Sequence, residues 1–390
     1  MSRRLARPLA AILFAGILTC WAPGFWPVAV MEIGVFLLAS VWIIWVLRAR
    51  APVYFSPMLL PLGGVVAWGA LQLAGGSTVY PNETVKSLLY WATNAVVFVL
   101  ALQACVDSPT RNRFLRGVLW FGCAVSVLAV LQYFTSDGKI FWLFASPYPR
   151  TLGPFLYKNQ CAAFLELVFP LAVYQSLVDR RQSLLYAGMA AAMFAAVVTA
   201  VSRAGAVLVI AELAAILLLA WARGLLPSRN LGRTLVRMAG LCAVLTAVVG
   251  WQVTLEKFRE PEPYRVRREL LLSSLAMIGA RPWTGFGLGT WPAVYPAYAR
   301  IDNGLTANRA HNDWAEWTVE GGLPLFAMLV TVALWSVPRA AESLWGAGIV
   351  AVFAHSLVDY PLREPALAAL LFAMLGALAA RAMAAPATFE

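Results

Sequence analysis

Residues 254–311 hold Lys257, Arg259, Arg265, Arg267, Arg268, Arg281, Arg300 and Arg309, and the stretch ends on His311. Eight of the chain's 30 basic residues and one of its two histidines therefore share one polar segment. A guanidinium is a planar fork that can bind two phosphate oxygens at once. Imidazole is the side chain whose ordinary pKa suits proton transfer near neutrality. Phosphate recognition beside a general base is the chemistry these residues could perform.

The elements that must position them are apolar. The chain has 390 residues, 61% hydrophobic and 13% charged. That charged share is about half the roughly 25% usual in a soluble domain. Apolar runs of about 20 residues recur from end to end, as in a polytopic α-helical membrane protein. The expected fold is all-α, a single integral membrane domain over residues 1–390. About twelve helices are expected, at 8–22, 25–47, 57–75, 84–106, 114–134, 159–178, 183–201, 204–222, 235–253, 311–337, 343–358 and 364–384. Residues 254–310 form a loop between the ninth and tenth, with a helix-like run after Arg265. Arg3, Arg4 and Arg7 before the first apolar run suggest an uncleaved first helix rather than a signal peptide.

The net charge of +11 does not indicate nucleic-acid binding, because the basic residues are scattered over short loops. Cys20, Cys105, Cys123, Cys161 and Cys242 have no CxxC or metal-ligand spacing, and no zinc site is expected. With the N-terminus cytoplasmic, sixteen Lys and Arg fall on inner segments. Of the fourteen outside, eight are in the 254–311 loop. The positive-inside rule thus holds once that loop is set aside, and both termini are expected inside. On this topology Lys158, Arg203, the basic loop, His311, Asp359 and Arg363 gather on the outer face.

Each candidate has a structural alternative. Arg203, in Ser202-Arg203-Ala204-Gly205, is a phosphate ligand or a snorkelling end-cap helped by Glu212. Gly285, Gly287 and Gly289 leave backbone N–H groups for an anion nest or simply make a turn. They follow no strand, so a dinucleotide fingerprint is excluded. Asn308 is a plausible N-cap for a helix carrying His311 and Asn312 in its first turn, with Asp313 and Glu316 suited to the helix N-terminus. His311 there is a base kept neutral by the helix end, or an interface histidine. His355 and Asp359 are spaced i, i+4, a pairing more structural than catalytic. Thr151 to Gln160, with Lys158, lines a cleft or caps a helix through Asn159. Glu32, Glu166 and Glu212 lie in apolar runs without metal-site spacing.

The order Ser202-Arg203-Ala204-Gly205, Arg268, Arg281-Pro282…Gly285-x-Gly287-x-Gly289, then His311-Asn312, resembles the O-antigen ligase and O-antigen polymerase superfamily of bacterial membrane glycosyltransferases. Gly153…Lys158-Asn159 and His355…Asp359…Pro365 are also similar, so the likeness runs over roughly 150–380. The resemblance implies a GT-C-like helical fold in the bacterial inner membrane, with a periplasmic site. It implies transfer of a glycan from undecaprenyl pyrophosphate to an acceptor hydroxyl, without a metal or other cofactor. Arg203 and Arg268 would bind the pyrophosphate, and His311 would orient or deprotonate the acceptor. Arg267, Arg281, Lys158 and Arg309 are further candidate ligands; Asn312, His355 and Asp359 are candidate supporting residues. The first reading is an inverting ligase that joins polysaccharide to lipid A-core. The alternative is a polymerase joining lipid-linked repeats, and a further class is a transporter or flippase.

Overall fold

A computed structural model describes residues 2–148, 150–226, 228–250, 252, 255, 264–300, 304 and 307–383. Lys257 and Arg259 of the basic loop lie outside the described residues. The chain is nearly all helical. Helices α1 (Ser2–Thr19), α2 (Trp26–Ala49), α3 (Leu59–Ala74), α4 (Pro81–Cys105) and α5 (Ser108–Thr135) form the first half. A two-stranded ribbon, Lys139–Ile140 against Phe144–Ala145, follows. Next come α6 (Lys158–Val178), α7 (Ser183–Thr199), α8 (Arg203–Ala222) and α9 (Ser228–Val249). The polar loop contains α10 (Arg265–Ala280) and α11 (Trp291–Val294). The chain closes with α12 (Asp313–Ser343), α13 (Ala347–His355) and α14 (Pro365–Met383). A helix occupies each of the twelve expected segments.

Among the described residues, seven helices are long and apolar enough to cross a membrane: α2, α4, α5, α6, α8, α12 and α14. Three shorter apolar helices cover Leu59–Ala74, Ser183–Thr199 and Val236–Val248. The core is built on α6 and α14, whose faces are buried nearly all round. Small residues permit this. A Cβ on Gly376 of α14 would sit 2.9 Å from Ala101 Cβ and 3.0 Å from Leu102 N, so α14 and α4 pack backbone to backbone. By contrast α2 exposes Ile33, Leu37, Val41 and Ile44, an apolar surface suited to lipid.

Two elements differ from expectation. The run from Asp313 to Ser343 is broken at Gly322, which has φ 68° and ψ −170°. Trp314 and Phe326 would be about 18 Å apart along a straight helix, yet their ring centroids are 6.1 Å apart. The 313–321 arm therefore folds back on the 323–343 arm. Only glycine fits the break, since a Cβ there would meet Trp283 O at 2.5 Å. The other difference is α13. It has 9 residues, about 13 Å at the helical rise, against a hydrocarbon layer of about 30 Å. The expected span at 343–358 is thus a half-helix followed by irregular chain. Both short arms end at one place: Asp313 N donates to Ser356 O at 2.9 Å and to Asp359 O at 3.2 Å.

Candidate active site around Asp359 and His311

Asp359 is the hub, and it is almost wholly buried. Its Oδ2 accepts from Arg267 Nη2 at 2.8 Å, from Tyr157 OH at 3.2 Å, and from Asn159 Nδ2. Its Oδ1 accepts from Tyr360 N at 2.9 Å and faces His311 Nδ1 at 3.4 Å. That last contact is long for a hydrogen bond. Burial opposes ionisation of Asp359. The His311 contact and the Arg267 charge outweigh it and hold the carboxyl below its ordinary value. A buried carboxylate on Nδ1 leaves the other imidazole nitrogen to act elsewhere, the logic of an oriented base.

His311 does not sit in a helix. Asn312 is the N-cap of α12, its Oδ1 accepting from Ala315 N at 2.9 Å. Asn308 is not the cap, and His311 precedes the helix with φ 53°. Histidine tolerates that left-handed conformation better than most residues, at some cost. Its ring meets Tyr360 edge-on at 4.9 Å, and Tyr360 stacks on Tyr157 at 5.1 Å. Burial, with Asp359 beside them, pushes both phenols upward, so they stay neutral. These two tyrosines, Tyr157 and Tyr360, form an aromatic wall beside the imidazole that the sequence motifs did not single out. Tyr-Pro at 360–361 and Tyr-Lys-Asn at 157–159 carry no spacing signal. Only the Asp359 contact makes them neighbours.

The arginines divide into three groups. Arg267 enters the site: besides Asp359 it donates to Val358 O at 2.8 Å. Arg268 does not. Its side chain is 72% exposed and pairs with Glu269 at 3.2 Å. Glu269 also holds Arg300 at 3.4 Å. Arg203 heads α8 behind its N-cap Ser202, whose Oγ accepts from Gly205 N at 3.2 Å. The Arg203 guanidinium lies 5.5 Å from the Tyr264 ring, at the start of α10 and three residues before Arg267. Val201 before it has φ 53°, an outlier for a β-branched residue. Lys158 Nζ braces this turn by donating to Val201 O at 3.0 Å. A Cβ on Gly205 would press on Ala162 Cβ at 2.8 Å, so the turn fits closely against α6.

Arg363 and Arg309 serve a different cluster. Asp313, Glu316 and Glu320 line one face of the 313–321 arm, all fully buried. Arg363 reaches all three: Nε at 3.6 Å from Asp313 and 3.1 Å from Glu316, and Nη2 at 3.0 Å from Glu320. Arg309 adds a contact to Glu316 at 3.1 Å. Burial opposes the Arg363 charge, but the three carboxylates win and hold it firmly ionised. This network ties the arm behind His311 to the 361–363 turn behind Asp359.

Arg281 is elsewhere. It donates to Ser77 O at 3.3 Å and lies over Phe286. The Gly-rich turn beside it is not an anion nest. Phe286 N donates to Val319 O at 3.0 Å, Gly287 N to Glu320 O at 2.9 Å, and Leu288 N to Gln72 Oε1 at 3.2 Å. Gln72 Nε2 and Trp68 Nε1 cover Glu320 O and Gly321 O from α3. The turn therefore satisfies carbonyls at the end of the broken arm. His355 also departs from its i, i+4 reading. Its Nδ1 lies 2.9 and 3.0 Å from the Glu166 oxygens, inside the bundle, and not on Asp359. Their link runs through backbone, Asp359 N donating to His355 O at 3.0 Å.

The fold and site define a polytopic membrane protein whose polar centre is a carboxylate-held imidazole flanked by arginines. Residues 188–330 match the family model Wzy_C, described as O-antigen ligase. The family resemblance read from the sequence is borne out over that segment. It contains Arg203, Arg267, Arg268, Arg281, Arg309 and His311, while Lys158, His355 and Asp359 lie outside it. No curated protein matches the chain. The match supports a membrane glycosyltransferase of the O-antigen ligase or polymerase type.

Proposed function

We propose that this chain moves a glycan from undecaprenyl pyrophosphate to an acceptor hydroxyl at the periplasmic face of the bacterial inner membrane. We infer further that it is an O-antigen ligase whose acceptor is lipid A-core. The observation that carries the reading is the approach of His311 Nδ1 to buried Asp359, with Arg267 on the same carboxylate. In the step we infer, the second imidazole nitrogen takes the acceptor proton. The acceptor oxygen then attacks the anomeric carbon from the side opposite the pyrophosphate, with inversion. The anomeric C–O bond breaks, and its electron pair leaves on the pyrophosphate. Arg203 and Arg267 counter the charge that grows there. Arg268, exposed beside Arg267 on the same helix, would meet donor only as it enters. With arginines supplying the positive charge, transfer is expected to continue in a chelator. Both termini would be cytoplasmic, and the 254–310 loop periplasmic.

The test is the cellular glycan ladder with His311→Ala at wild-type membrane levels. A ligase leaves lipid A-core bare while long chains build up on the carrier. Accumulation of single repeat units would identify a polymerase instead. An unchanged ladder would refute the catalytic role of His311, and with it the whole step.

A further inference from the structure

α1 and α2 are antiparallel, and their far ends come level. Arg4 is 15 residues before the end of α1, and Trp42 is 16 residues past the start of α2. At 1.5 Å per residue both stand roughly 23 Å from the connecting turn. There a groove of about 300 Å³ opens, lined by Arg4, Leu5, Leu38, Trp42 and Trp45. Its lining combines two leucines, two indoles and one guanidinium.

Charge at this end is mostly positive. Arg3 and Arg7 flank Arg4, and Arg48 and Arg50 lie about two turns beyond Trp42. Asp107 is the acid whose field reaches Arg3, and it is already engaged as the N-cap of α5, accepting from Thr110 N at 3.1 Å. Among the described residues, Arg4 has no hydrogen-bond or ion-pair partner. α2 is otherwise open to lipid, so whatever fills the groove comes from the bilayer. Indoles sit at the headgroup level of a membrane, where an apolar body and an N–H are both served. Basic pockets between helices at that depth suit phosphate headgroups.

We propose that this groove is a binding site for one anionic phospholipid. Its phosphate meets Arg4, its glycerol lies between Trp42 and Trp45, and an acyl chain runs over Leu5 and Leu38. The site is far along the bundle from Asp359 and does not depend on the reaction assigned there. The proposed topology puts it in the cytoplasmic leaflet.

The experiment is native mass spectrometry of the full chain from mixed micelles holding equal phosphatidylglycerol and phosphatidylcholine. Wild type is expected to retain one phosphatidylglycerol with about fivefold preference, the factor one basic residue gives at an anionic surface. Arg4→Gln removes the preference and Arg4→Lys keeps most of it. Leu38→Trp fills the groove with every charge intact and also releases the lipid, which covers the case in which Arg4→Gln does not fold. No preference in wild type, or the same retention in Leu38→Trp, overturns the proposal. Displacement by millimolar glycerol 3-phosphate overturns it too, since the site would then take a free phosphate.

Discussion

Replacing Gly285 with alanine separates the two roles available to the Gly-rich turn. Gly285 has φ 64°, which costs alanine about 1–2 kcal/mol. Its Cβ would lie 2.5 Å from Glu320 C and 2.7 Å from Gly321 N, backbone atoms that cannot swing aside. Forcing them apart costs roughly 1–3 kcal/mol. The hydrogen bonds of Phe286 N to Val319 O and Gly287 N to Glu320 O would lengthen, at about 1 kcal/mol each. A loss of roughly 4–7 kcal/mol follows. At about 1.2 °C per kcal/mol for a chain of 390 residues, the thermal midpoint in detergent should fall by about 5–9 °C. The assay is recovery of the monodisperse peak after heating, run beside binding of lipid-linked donor. Gly279→Ala is the control: nothing lies within 4 Å of its Cβ, so that midpoint should hold or rise slightly. A Gly285→Ala protein with an unchanged midpoint and weakened donor binding would refute the argument. It would mean the turn's amides serve an anion after all.

Four other substitutions probe the polar centre. Arg267→Ala should lower transfer at least about tenfold, and exposed Arg268→Ala by no more than about threefold, both read by initial rates; the reverse order would remove Arg267 from the site. Asp359→Asn should cost about 10³–10⁴ in rate by freeing the imidazole tautomer. Because its pKa is lowered on folding, the Asp359 ion pair is present at and above the ordinary carboxylate range and is lost only as pH falls below it. The midpoint gap between wild type and Asp359→Asn should therefore be flat from about pH 5 to 8 and close below about pH 4; a gap that closes between pH 6 and 8 would show that a histidine, not Asp359, governs it. Arg363→Ala leaves the buried Asp313, Glu316 and Glu320 side chains with Arg309 alone, at about 3–5 kcal/mol, so little monodisperse protein should be recovered; normal yield would show that Arg363 does not hold this cluster together.

The helices were legible because about 20 apolar residues in a row leave the backbone no other way to satisfy its amides in lipid. The same averaging hid the break at Gly322. A window over 313–343 is apolar on either side of one glycine, and the glycine's partner, Trp283 O, lies in a distant loop. His311, Arg203 and Arg267 were legible as types clustered in order, but their partners were not. The i, i+4 rule joins His355 to Asp359 only while helix continues, and α13 stops at His355. Past that point the chain turns, and the Asp359 carboxylate meets a histidine 48 residues upstream instead of its sequence neighbour. The sign of the Gly-rich turn was hidden for the same reason, since three glycines present amides to whatever is there. Here it is the broken arm, whose own last carbonyls lack partners because Gly322 ended the helix. Break and turn thus need each other: the glycine that exposes the carbonyls and the glycines that cover them hold the arm that begins just after His311. The basic loop thus has two uses, one through Arg267 on the Asp359 carboxylate and one through amides that hold the end of the 313–321 arm.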